Sequence, residues 1–523
     1  MKHIFVEDEI KDIVIQKLLS RRDLLLVVPG SLLCLRSVYI KALSLDCVNR
    51  LALVPVTEED YILGTAEEKI QEIIRRKGKQ NGVKIIVVYL SCPDILIRIH
   101  FDYIERELSK EIGCIVKCFF RGPLGNREGA REERAKELLS VFPVENECGI
   151  ENDAELPPPV SDVAGISDWL RRSHYANALV STVGCRNCLR FSDMDRKQKD
   201  VYYTETTDQD VIFGFEDTVE TQVNELYEKK DYKGIHLITS VVPALVGYQG
   251  DFLEGDGRSS LFYADGFHDA ISGVAEAQRK VIKKVAAHYK GVGKYIEVVG
   301  YSRLLCGGKK QFEPFISFFQ QMGYEVVFSG IDEERQEAPA LAWMVSSAGY
   351  TASHWLYTQL GIPYVSTFPW DCEGRLLWEK KVKNLLSGNL EEKEDDIVYR
   401  VSRGQKKLKV LIIGDPVSTL GMAEYVRRKG FEDIKLAAYA WTKQTGHIYN
   451  SISKATDIYI FKNREELFPL WQEADLVIAD ELIAKVMPKK SVIFYPWGFI
   501  SGRKGGDNLM MITRGEDFMV NIE

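Results

Sequence analysis

Cysteine is the residue type in this chain whose placement could do chemistry. Pro29-Gly30 is followed by Cys34 and Arg36, and Val183-Gly184 leads directly into Cys185. Cys92 stands before Pro93, just after the apolar run Ile85–Leu90. Thiolates are the ligands that iron–sulfur clusters use, and turns at strand ends can aim them at one point. Cys185-Arg186-Asn187-Cys188 is also a Cys-x-x-Cys, which by itself fits a dithiol redox pair or half a zinc site. No second Cys-x-x-Cys and no Cys-x-x-His exists to complete a zinc site. Free cysteine is equally at home as a small buried hydrophobe. Ten cysteines among 523 residues therefore decide nothing by count, and their positions must carry the case. Cys114 and Cys118 flank a strand on one side and read as core.

The elements that position these cysteines come in two copies. Thr57-Glu58-Glu59-Asp60-Tyr61-Ile62-Leu63-Gly64 returns 150 residues later as Thr207-Asp208-Gln209-Asp210-Val211-Ile212-Phe213-Gly214. The offset holds without a gap to Cys92-Pro93 and Val242-Pro243. Upstream, the turns carrying Cys34 and Cys185 correspond at nearly the same offset. The duplication is unequal, because Val242 stands where the first copy has Cys92.

Short apolar β-branched runs alternate with amphipathic stretches. Leu24–Pro29, Lys84–Leu90, Ile115–Phe120, Ala178–Val183 and Ile235–Ser240 read as buried strands. Ala66–Arg76, Phe101–Glu111, Asp217–Glu228 and Gly266–Tyr289 read as helices. The alternation predicts an α/β protein with parallel sheets covered by helices on both faces. The expected domains are residues 1–125 (first copy), a charged and proline-containing connection at 126–160, 161–292 (second copy), 293–400 and 401–523. Gly414-Asp415-Pro416 ends a strand in the manner of a ligand-facing loop.

Bulk properties narrow the partners. The composition is 45% hydrophobic and 28% charged, which suits a large folded core. A net charge of −8 argues against nucleic acid. The longest apolar runs are strand-length, so no membrane span is expected. No signal peptide is visible, and a cytoplasmic protein is expected. No Walker A sequence is present, since Gly293-Lys294 and Gly308-Lys309 lack the required spacing.

Taken in order, the motifs resemble nitrogenase component 1 and its relatives. They are Gly184-Cys185, Thr207–Gly214, Pro243-Ala244-Leu245-Val246-Gly247, Val299-Gly300-Tyr301-Ser302-Arg303 and Gly323-Tyr324-Glu325-Val326-Val327. Trp370-Asp371, Gly414-Asp415-Pro416 and Pro496-Trp497-Gly498-Phe499 follow. The resemblance covers about residues 145–523, with 24–125 resembling the first domain a second time. It implies several Rossmann-like parallel-sheet domains of the nitrogenase component 1 type. It also implies one iron–sulfur cluster, a [4Fe–4S] cubane, shared between two related first domains. Matched to the family, Cys34, Cys92 and Cys185 are ligands, with Cys148 as the fourth or Cys188 in its place. ATP would act only through a separate nitrogenase-reductase-like ATPase. A further partner would be a second copy of the chain or a sister subunit, unless the fused first copy replaces that subunit's first domain.

The family's substrate lies between its α/β domains, near strand carboxyl ends. Tyr301, Arg303, Trp370 and Trp497 occupy that kind of place and are candidate pocket residues. Arg303 could hold a carboxylate or phosphate, and Asp371 or His354 could supply a proton. Each also has a plain reading as surface arginine, helix cap or aromatic packing. No counterpart is found for the cysteine and histidine that hold the large nitrogenase metallocluster, so dinitrogen reduction is not expected. Three functions remain: an oxidoreductase component acting on a small organic or tetrapyrrole-like substrate, a metallocluster scaffold or carrier, and a cluster-free ligand-binding protein.

Overall fold

The computed structural model describes residues 1–4, 13–120, 130–144, 149–150, 153–194, 200–250, 258–366, 369–388, 407–453 and 457–502. Two compact units emerge. One contains Met1–Ala164 and His174–His268, and the other contains Gly165–Ser173 with the chain from Asp269 onward.

Both repeat copies lie in the first unit, each with its own sheet. In the first copy the strand order is Leu51–Pro55, Leu24–Gly30, Ile85–Leu90, Ile115–Phe120, all parallel. Leu24–Gly30 and Ile85–Leu90 are buried along their whole length. This is what an uninterrupted apolar run becomes when helices cover both faces of a sheet. The second copy repeats the order with Val201–Tyr203, Tyr175–Leu179, Gly234–Ile238 and Ser259–Phe262. Lys2–His3 adds an antiparallel edge to Val201–Tyr203. The duplication read from the sequence is thus a duplication of topology.

The repeated Thr-x-x-Asp is a helix start. Thr57 and Asp60 form a capping box on the helix Glu58–Leu63, and Thr207 and Asp210 do the same for Asp208–Phe213. Each box satisfies backbone donors that the first helical turn leaves unpaired. Three elements differ from expectation. The strand at Ala178–Val183 ends at Leu179, because the helix Val183–Ser192 starts with Thr182 at its N-cap position. The helix at Phe101–Glu111 is interrupted by a π-helical turn at Ile104–Leu108. The helix at Gly266–Tyr289 begins only at Ala270, where Asp269 caps it by accepting from the Ser272 amide.

Among the described residues the second unit holds two parallel sheets. One runs Glu325–Phe328, Tyr295–Val299, Leu341–Met344, Tyr364–Val365. The other runs Ile458–Phe461, Ile434–Tyr439, Val410–Ile413, Leu476–Ala479, Ser491–Phe494. The helix Ala270–Ala286 packs here, against Tyr350–Leu360 and the turn Ser347–Gly349. The segment 165–173 is tied in by Trp169, whose indole N–H donates to the Ser329 carbonyl at 2.8 Å. Asp168 accepts from the Leu304 amide at 2.7 Å.

Glu297 interrupts the apolar central strand Tyr295–Val299. Burial pushes its carboxyl from an ordinary 4.5 up to about 8. Between those values the folded chain keeps a proton that the unfolded chain has lost. Stability therefore falls as pH rises from about 4.5 to about 8 and is level above that. Glu297→Gln should remove this slope. Urea unfolding should show the variant gaining roughly 2–4 kcal/mol over the parent at pH 9 and little near pH 5. Equal differences at the two pH values would rule the account out.

Candidate functional site

The two copies meet through equivalent helices. Leu32–Ser44 packs along Val183–Ser192, and Cys92–Leu96 touches Val241–Leu245. Each element contacts its own counterpart, so the junction has approximate twofold symmetry.

Cys34 and Cys185 are each the third residue of their helix. Both are buried, at 8% and 4% exposure. Burial pushes the Cys185 thiol up, and the neighbouring Cys34 pushes it further. Thr182 Oγ1 donates to Cys185 Sγ at 3.6 Å. One turn along, the sixth residues also meet: Ser37 Oγ lies 3.2 Å from Cys188 Sγ and donates to it. Cys185 and Cys188 share a helix face, as residues three apart do. A buried thiol pushed up by burial and by a neighbouring thiol is a poor nucleophile as it stands. A cation or metal that accepts thiolates would relieve that cost. Cys148 lies outside the described residues.

Cys92 opens the next pair of elements and is 7% exposed. Its turn is braced by Asp94, which accepts from the Ser91 amide at 2.6 Å, the Ser91 hydroxyl at 2.6 Å and the Tyr61 hydroxyl at 2.8 Å. Burial raises the Tyr61 phenol well above its ordinary value, with Asp94 next in effect and Cys34 also contributing. Tyr61 thereby links the Cys92 turn to the Cys34 helix. In the second copy the corresponding Val242 is fully buried.

A loop closes the junction. The Gly266 carbonyl accepts from the Leu33 amide at 3.0 Å, beside Cys34. Gly266 has φ +70°, and a Cβ there would fall 2.6 Å from a Val241 methyl. Phe267 packs on Tyr61 with ring centres 5.8 Å apart. Asp162 holds the loop by accepting from the Asp265 and Gly266 amides at 2.9 and 3.0 Å. Asp162, Asp265 and His268 bring ligand atoms within 4.8 Å of one another. Burial, and then the Asp265 charge, push Asp162 well up, whereas at Asp265 burial is outweighed by His268 together with the Phe267 and His268 amides, which hold its carboxyl low. Their oxygens are engaged by backbone amides, so the trio works as a loop latch.

The copies are also joined by a buried ion pair. Arg36 Nε donates to both Asp193 oxygens at 2.9 and 2.8 Å, and Nη1 donates to the Pro158 carbonyl at 2.6 Å. The two side chains are 1% and 0% exposed. Asp193 is the C-cap residue of the Cys185 helix.

In the second unit the expected pocket residues have other occupations. Tyr301 is buried and donates to the Gly307 carbonyl at 2.9 Å. Trp370 donates to the Ser418 carbonyl at 2.9 Å and packs edge-on to Tyr495. Trp497 is buried against Phe499, and its amide donates to Asp480 at 2.8 Å. Asp371 caps the helix Cys372–Leu386 and pairs with Arg428, at 2.6 and 3.1 Å. A carboxylate so held has a structural task. His354 is exposed and stacks on Tyr350. Arg303 is half-buried and opens the short helix Arg303–Cys306. The structure brings Trp370, Tyr495 and Ser418 together, but His354 lies on the surface of another helix.

These geometries can be set beside known proteins. The chain is similar in fold to nitrogenase Cp1. One solved structure, at pH 6.5, covers 71% of this chain and 91% of its own, at 11% identity and a TM-score of 0.49. Another, at pH 5, covers 68% and 87%, at 14% identity and a TM-score of 0.46. No family model matches the chain, and no curated protein does. At such identities the likeness concerns the path of the chain alone.

Some groups escaped the sequence reading. Asp415 sits at the carboxyl end of Val410–Ile413 and accepts from the Ser347 amide and hydroxyl and the Val417 amide. Burial pushes it up to about 6, against those bonds. Burial likewise pushes nearby Cys306 up to about 12. The Gly-Asp-Pro motif marked the loop, but nothing in the sequence showed that the acid points inward. Asp94 and Tyr61 were also missed. Their signal was available in the repeat, where they align with Ala244 and Val211.

Proposed function

We propose that this chain holds one [4Fe–4S] cluster where its two copies meet, and relays electrons from an ATP-driven homodimeric reductase to a small organic or tetrapyrrole-like substrate. The observation that carries this reading is the meeting of Cys34 and Cys185 at equivalent positions of paired helices, beside the Cys92 turn. The donor set fits, since soft thiolates from convergent turns are what such clusters use. Cys34, Cys92 and Cys185 would be ligands, with Cys148 or Cys188 as the fourth. When bound, the cluster supplies a one-electron store. The chain's own residues exclude water with Val242, Leu33 and Phe267, and orient the thiols with Thr182 and the Asp94 brace. Because both copies belong to one chain, the first copy stands in for a sister subunit's first domain.

The surface supports a twofold partner. Ile62 and Leu63 are each 74% exposed, and their counterparts Ile212 and Phe213 are 73% and 84% exposed. Large apolar side chains this bare, at matching positions of both copies, suit docking. Tyr61, the residue before Ile62, points inward to Asp94, so Ile62 and Leu63 lie on the outer side of the element that braces the Cys92 turn.

Anaerobic reconstitution with iron and sulfide tests the reading. The protein should bind about four irons per chain and absorb in the thiolate-to-iron charge-transfer region. Cys34→Ser and Cys185→Ser should each lose most of that iron with little change in unfolding midpoint. A colourless protein, or unchanged iron in both variants, defeats the proposal.

One observation favours a second reading, a metallocluster scaffold or carrier. Tyr301, Trp370, Asp371 and Trp497 are engaged in internal packing and pairing. Turnover of a reduced product in the presence of a reductase separates the two. Cluster transfer to an acceptor protein without product would favour the carrier.

A further inference from the structure

The two copies match in topology, in capping boxes and in the positions of Cys34 and Cys185. They part company at one polar group. The first copy has Tyr61, Ser91, Cys92 and Asp94, and the second has Val211, Val241, Val242 and Ala244 at the same offset. All four polar residues give way to apolar ones together. The set therefore goes with the Cys92 thiol and is not a general requirement of the fold.

Its geometry ties two candidate ligands to one carboxylate. Asp94 is fully buried and accepts from the Ser91 amide, which holds the turn ahead of Cys92. It also accepts from the Tyr61 hydroxyl, whose ring packs on Phe267 and whose electrostatic neighbours include Cys34. In all three bonds Asp94 is the acceptor.

We propose that Asp94 and Tyr61 are positioning residues that brace the Cys92 turn against the Cys34 helix and set the electron affinity of what the cysteines hold. This rests on the cluster reading above. A negative group two residues from a ligand disfavours adding an electron, and its loss favours it. At this pair of equivalent turns the junction is consequently charged in the first copy and apolar in the second.

The test uses full-length protein carrying Asp94→Asn or Tyr61→Phe. In Asp94→Asn the amide oxygen still accepts from the Ser91 amide, so the fold is preserved. After anaerobic reconstitution both variants should keep iron while their midpoint potentials move apart. Asp94→Asn should shift upward because a charge is removed. Tyr61→Phe should shift downward because the carboxylate loses a donor. Loss of packing alone would not give opposite signs. Potentials equal to that of the parent would overturn the electrostatic role.

Alkylation of Cys92 in iron-free protein, read by mass spectrometry, is independent of the cluster. Loss of one buried hydrogen bond should speed it by about tenfold in Tyr61→Phe. An unchanged rate overturns the brace. If the parent takes up no iron while Tyr61→Phe still shows this acceleration, the cluster reading is defeated and the brace stands.

Discussion

Leu63→Asp combined with Phe213→Asp should abolish productive docking of a homodimeric reductase. Truncating an apolar anchor at the centre of an interface costs about 2–4 kcal/mol. A carboxylate in its place adds the cost of burying a charge. Two anchors related by the approximate twofold axis are lost together, so affinity should fall by roughly a thousandfold or more. Folding should be untouched, because Leu63 is 74% and Phe213 84% exposed in the structure. Such surface substitutions typically change stability by about 0.5 kcal/mol or less. Titration calorimetry with the purified reductase, alongside thermal unfolding, checks both parts. Affinity within twofold of the parent would remove this surface from consideration. Each single variant should have an intermediate effect, since the proposed twofold partner would meet both copies.

Asp193→Ala should strongly destabilise the first unit. The Arg36–Asp193 pair is buried, and removing one partner leaves an uncompensated guanidinium in the interior. Breaking a buried pair in this way costs about 3–5 kcal/mol. The loss should appear as a lower urea midpoint with an unchanged slope. Arg36→Met together with Asp193→Leu should recover most of it, because an apolar pair carries no desolvation penalty. A double variant no better than the single would mean that shape at this site matters more than charge. The pair joins the Cys34 helix to the end of the Cys185 helix. Asp193→Ala should therefore also lower iron uptake.

Much of the fold was legible because its signals are local. Uninterrupted runs such as Leu24–Pro29 demand burial on both faces, and Thr-x-x-Asp marks a helix start wherever it occurs. Errors fell where a local signal had a tertiary competitor. Val180, Thr182 and Val183 are β-branched and read as strand, yet the chain turns there so that the helix carrying Cys185 can begin at Val183. Residues 101–111 read as one helix, and the π-helical turn at Ile104–Leu108 has no periodic signature.

The candidate site divides the same way. Spacing alone placed Cys34, Cys92 and Cys185 shortly after strands, because duplication preserves the offset between a strand and the segment that follows it. Which turns face each other is a matter of packing between copies. Only the tertiary structure set Cys34 against Cys185, put Ser37 rather than another thiol against Cys188, and revealed Asp94 and Tyr61 as the brace on one side. It also drew Trp370, Asp371 and Trp497 into internal contacts that their motifs did not disclose. Sequence determined the repeated α/β unit and where its thiols fall after each strand, since those depend on neighbours along the chain. The asymmetry of the junction was decided in three dimensions, since burial and hydrogen-bond partners come from residues far apart in the chain.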